Sequence, residues 1–191
     1  MDLIADRGRR VTVEELNTSK LLAHAAEQAR ERKYDEMMIV DCDAHHYENE
    51  NFGDIFPYME NEVLKQLTMG GRLKNGVQAL LPTQIGYQDM GGRVTRYPLR
   101  STEKTDPGRL RDIQLGERWM DAMGVDYSCL FPTGMLNVGL HPQKEMEVEL
   151  CWAYNRWLTE RVLPENHGRF YTQLALPLSD PDASLRQVEK F

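Results

Sequence analysis

Short apolar runs and helical stripes alternate along this chain. MMIVDCD at 37–43 follows the charged ERKYDE and turns acidic at its own end. It reads as a buried strand with polar groups at its C-terminal end. VDYSCLFP at 125–132 and RFYTQLALP at 169–177 read as two more strands. A helix over 12–33 opens on a capping box of Thr12 and Glu15 and carries a thin stripe of Leu16, Ala23 and Ala26. A shorter helix is expected over about 56–68. Asp106 and Pro107 start GRLRDIQLGERWMDAMG, which Gly124 ends. Residues 143–162 place Met146, Leu150, Tyr154 and Leu158 on one stripe, and Asp180 or Ser179 caps a last helix with Pro181 in its first turn.

Strands separated by helices predict a parallel α/β sheet, whose functional groups collect at the C-terminal strand ends. Residues 1–36 read as a helical arm and 37–191 as the main unit. The stretch 69–107 holds six glycines and three prolines. It is too long for a plain connector and is expected to be an irregular excursion with a functional use.

The net charge of −7 argues against nucleic-acid binding, which needs a dense basic surface. Arg7, Arg9 and Arg10 form a local basic cluster that reads as a solvated arm. No run approaches the roughly 18 apolar residues of a membrane helix. MDLIADRGRR has no apolar h-region, so no secretory leader is expected. Cys42, Cys129 and Cys151 are far apart in sequence, which fits reduced thiols in a cytoplasmic protein.

Candidate chemistry gathers in IVDCDAHHYE at 39–48. On a regular strand Asp41, Asp43 and His45 share one face, with Cys42, Ala44 and His46 on the other. Asp43 and His45 can then converge on one divalent cation, Zn²⁺ or Mn²⁺, although two ligands do not complete a site. A cap and ion-paired surface turn is the alternative for the same residues. An EF-hand is excluded, because the sixth loop position is His46 and the twelfth Phe52. Asp41 suits a structural hydrogen bond and His46 a packing role beside the pair. Glu48 is a candidate to orient a ligand or touch substrate. His141, in the loop after the second strand, is a candidate substrate contact, against a plain surface histidine. His167 sits where a helix C-terminus favours a cation. No nucleophile elbow, P-loop or dinucleotide fingerprint is present.

IVDCDAHHYE resembles the first strand of the amidohydrolase-related metal enzymes that include aminocarboxymuconate-semialdehyde decarboxylase and the aromatic-acid decarboxylases. Asp43 and His45 match that family's D-x-H variant of H-x-H, and Glu48 a glutamate that follows it. RWMDAMGVDYSCLFPT at 118–133 and AYNRWLTERVLPENHGRFYTQLALPLSDPDASLRQVEK at 153–190 are similar to the family in the same order. The resemblance covers about residues 37–191. It implies a (β/α)₈ TIM-type barrel of which this chain carries only the N-terminal half. It also implies a metal-dependent hydrolase or decarboxylase acting on a small aromatic or carboxylated substrate. A non-catalytic unit that pairs with itself or a partner is the other expectation. A homo-oligomer is expected on either.

Overall fold

Three short parallel strands carry the chain's only long-range pairing among the described residues, in the order β1 (Val40–His46), β2 (Tyr127–Pro132), β3 (Phe170–Thr172). The computed structural model describes residues 18–46, 48, 52–75 and 105–191. Register shows why these segments pair. Ala44 lies beside Leu130, His46 beside Pro132, and Ser128 beside Phe170. Laterally paired residues share a face, so Ala44, His46, Ser128, Leu130 and Phe170 form one surface, and all five are buried.

Helices cover that surface. α4 (Arg111–Met123) contributes Ile113 and Met120, and α5 (Lys144–Trp157) contributes Leu150, Cys151, Tyr154 and Trp157. Gly116 on α4 faces the Phe170 ring, where a built Cβ would lie 3.0 Å from the ring tip, so glycine sets the helix-to-sheet approach. Gly124 closes α4 in the left-handed region at φ 68°, its amide bonded to the Met120 carbonyl. After β1 the chain turns through α2 (Phe52–Ile55) and a 3₁₀ turn to Tyr58, burying Phe52, Ile55 and Phe56 near α5. α3 (Glu62–Asn75) follows, its start capped by Asn61 Oδ1, which accepts the Val63 and Leu64 amides. α1 (Thr18–Glu31) packs on α4 through a face that buries Leu22 and Ala29, while Ala23 is exposed.

The expected (β/α)₈ barrel is not what the described residues form. They make an open three-stranded sheet with β1 and β3 as free edges. Closure takes eight strands joined edge to edge. Three strands, each turned by about 20–25° from its neighbour, stay far from a closed ring. The face opposite the helices carries Val40, Tyr127, Cys129, Phe131, Tyr171 and His45 and is only partly covered, with Tyr171 57% exposed.

Other boundaries also move. β1 begins three residues later than the apolar run suggests, leaving Met37 and Met38 exposed. Asp106 and Pro107 precede α4 instead of opening it: Asp106 Oδ1 accepts the Gly108 amide at 2.8 Å, forming a tight turn. Residues 69–75 of the expected excursion complete α3, and 76–104 lie outside the described residues. So do Arg7, Arg9, Arg10, Thr12, Glu15 and Leu16. α5 ends in a π turn at Leu158–Val162, and β3 is three residues long. His167 stands in a turn at φ 47°, with Nδ1 2.8 Å from Glu117 Oε1.

α6 (Pro181–Lys190) is capped by Asp180, whose side chain accepts the Ala183 amide at 3.0 Å. A buried amide pair ties it down. Asn155 Nδ2 donates to the Gln187 Oε1 and Ala175 carbonyl, and its Oδ1 accepts the Ala175 amide. Gln187 donates on to the Val148 carbonyl. Asn155→Ala leaves these partners unsatisfied and should cost about 2 kcal/mol of stability. Hydrogen exchange should report it first as faster opening of α6. Unchanged α6 protection would show that the pair does not anchor it.

Candidate functional site

Polar groups converge where β1 and β2 end. The β1–β2 register slips between Asp41 and Ala44, so β1 carries one extra residue there, a β-bulge. Asp41 lies beside Ser128 and Ala44 beside Leu130. Asp41 therefore falls on the helix-covered face, and the alternation expected for Asp41, Asp43 and His45 is broken. Asp41 Oδ1 instead accepts the Asp43 amide at 3.1 Å and holds the bulge.

Beyond the bulge, Asp43 Oδ1 stands 3.4 Å from His45 Nε2. Asp43 is open, its side chain 87% exposed, while the His45 side chain is 19% exposed and packs near Phe131 at 6.0 Å between rings. The gap exceeds the 2.7–2.9 Å of a charge-assisted N–H···O bond. Two donors each about 2.1 Å from a tetrahedral ion stand about 3.4 Å apart, so the pair fits one edge of a zinc-type shell. Among the described residues, no group of three or more His, Cys, Asp and Glu is placed to hold an ion.

His46 points into the helix layer and is buried. Its Nε2 meets Tyr154 Oη at 2.8 Å, and its ring stacks on Trp157 at 6.1 Å with an interplanar angle of 4°. Its partners sit more than 100 residues away in sequence.

Glu48 is also fully buried. Oε2 accepts the Thr133 amide at 2.9 Å and Oε1 the Met135 amide at 2.5 Å. Burial pushes its pKa up to about 7, against the pull of the backbone hydrogen bonds at Met135 and Thr133. With both oxygens facing amides, Glu48 tethers the chain beyond β1 to the turn after β2. It does not present itself as a surface contact for substrate.

Thr133 joins these groups. Its amide donates to Glu48, its Oγ1 donates to the His46 carbonyl at 2.7 Å, and Oγ1 lies 3.5 Å from His45 Nδ1. Sequence reasoning passed over Thr133 because no neighbour in sequence activates it; its place directly after the strand-ending Phe131-Pro132 was the available signal. His141 lies further along the same loop, after the 3₁₀ turn Met135–Leu140. It is half-buried, with Nδ1 3.1 Å from the Gln143 amide, and no described contact joins it to Asp43 or His45.

No family model and no curated protein matches the chain.

Proposed function

We propose that Asp43 and His45 supply one edge of a divalent-metal site, Zn²⁺ or Mn²⁺, in an enzyme that hydrolyses or decarboxylates a small aromatic or carboxylated substrate. The observation that carries this is the 3.4 Å Oδ1-to-Nε2 separation at a strand end, too long for a good hydrogen bond and right for two donors on one ion. The three separated segments that resemble amidohydrolase-related enzymes point to the reaction class. A bound metal would polarise a substrate oxygen or activate a water. Asp43 and His45 hold it; Asp41 fixes the bulge that displays Asp43; His141 stands on the loop that borders the same strand ends and is the candidate substrate contact. Among the described residues no third ligand joins them, and water would fill the open positions.

Equilibrium dialysis with Zn²⁺ and with Mn²⁺ tests this. One equivalent per chain is expected, weakened at least about tenfold to a hundredfold by Asp43→Ala, a loss no smaller than that for removing a supporting group. Wild-type protein that holds neither metal, or an alanine variant that binds as tightly, overturns the proposal.

A second reading rests on the sheet face that the described residues cover only in part. Parallel sheets are as a rule covered on both sides, yet Tyr171 and Val40 are exposed here and Tyr127 partly so, its ring 5.8 Å from Tyr171. A non-catalytic unit that self-associates would hide that face. Sedimentation that depends on concentration and is abolished by Tyr171→Asp would favour it. Both readings place the protein in the cytoplasm, on the support of three free thiols at Cys42, Cys129 and Cys151. Among the described residues, no helix is long and apolar enough to cross a membrane.

A further inference from the structure

We propose that Cys42 and Cys129 are a thiol pair that a low-molecular-weight disulfide, such as glutathione disulfide, converts to a reversible bridge between β1 and β2. The proposal stands apart from the metal reading and rests on none of its ligands.

The bulge makes the pair. Asp41 lies beside Ser128 and Ala44 beside Leu130, so Cys129 is the β2 residue opposite both Cys42 and Asp43. Cys129 alternates with Ser128 and Leu130, which are buried under the helices, and so points to the other face. Cys42 and Asp43 stand between two residues of the helix-covered face, Asp41 and Ala44. Both are exposed, which puts them on the same open face as Cys129. Neighbouring strands run about 4.8 Å apart, inside the roughly 4.4–6.8 Å between the Cα atoms of a disulfide.

Access is graded. Cys42 is exposed, and its sulfur lies 3.9 Å from the Val40 carbonyl, a weak contact that a turn about χ1 gives up. Cys129 is half-buried. Cys151 is buried in the helix layer, where burial and then Glu147 push its thiol up. Two thiols therefore stand open to exchange on one face, and the third is an internal control.

The exchange balances. The Cys42 sulfur, its proton passed to solvent, attacks one sulfur of glutathione disulfide and expels a glutathione thiolate. The Cys129 sulfur, also deprotonated, attacks the Cys42 sulfur of that mixed disulfide and expels the second glutathione. The two cysteines lose two electrons, and glutathione disulfide gains them. Excess reduced glutathione runs the sequence backward. The bond would fasten the bulge to β2 covalently.

The test incubates the native full chain with glutathione disulfide, alkylates the remaining thiols and maps them by peptide mass spectrometry. The expected product lacks two hydrogens, joins the Cys42 and Cys129 peptides and carries alkylated Cys151. Excess reduced glutathione should return all three thiols. Cys129→Ser should stop with glutathione on Cys42. A wild-type chain that stops at that same adduct, that links two chains through Cys42, or that leaves both thiols unreacted overturns the proposal. A bridge that includes Cys151 overturns it too.

Discussion

Trp157→Ala is expected to lower the free energy of unfolding by about 3–5 kcal/mol, which urea titration would measure. Trp157 is 1% exposed and packs from the end of α5 against His46 of β1 and Tyr154. Its indole Nε1 is buried with no hydrogen-bond partner among the described residues. The loss is therefore one of packing: the ring's contacts disappear and the site cannot collapse onto a helix-to-sheet layer held by Leu150, Leu158 and Phe170. His46 also loses the ring it stacks on, though its bond to Tyr154 remains. Trp157→Phe is the informative control. It keeps most of the volume and removes an unpaired N–H, so it should cost far less than alanine. Equal losses for the two would show that the indole N–H has a partner of its own.

The second large effect depends on pH. Glu48 is fully buried and its pKa is raised from 4.5 to about 7, burial outweighing the amide donors. Between those values the folded chain holds a proton that the unfolded chain has released. The stabilising contribution is thus complete below about pH 4.5 and is lost as pH rises through about 7. A shift of this size is worth about 3 kcal/mol. Glu48→Gln cannot ionise. One of the two amides, at Thr133 or Met135, would then meet its NH₂ group, a penalty that does not change with pH. Unfolding free energies at a series of pH values should show the wild type losing about 3 kcal/mol relative to the glutamine variant between pH 4.5 and 7, then a constant difference. Parallel curves would mean that the amides outweigh burial and keep Glu48 an ordinary carboxylate.

Local chemistry was readable from the chain. Asp180 and Pro181 announce α6, Gly124 ends α4, and the stripe of Met146, Leu150 and Tyr154 becomes the buried side of α5. Asp43 and His45 do lie together at a strand end. What escaped depends on distant partners. The run at Met37 and Met38 looks like a strand interior, yet pairing starts at Val40, and it is His46, further on, that packs on Tyr154 and Trp157. The alternation rule assumes regular pairing, and a bulge set by the Asp41 side chain breaks it. Nothing in a one-dimensional pattern says that Glu48 will receive two amides from a turn 85 residues on. The barrel inferred from resemblance failed for a related reason: three strands and their helices are a local pattern, and closure is not.

Strand order also sets a timetable for assembly. Each strand meets its successor, but the spans differ: about 40 residues separate the partners in β2 and β3, and nearly 90 those in β1 and β2. Doubling a loop adds only about 0.6 kcal/mol of closure entropy. Still, the shorter span arrives with α5 already alongside, and local contacts form first. On that basis β1 would dock last, on the edge that β2 presents. Asp43, His45 and the Glu48 tether would accordingly come into register only in the last step, so a partly folded chain would hold the helices and two strands without the Asp43–His45 pair.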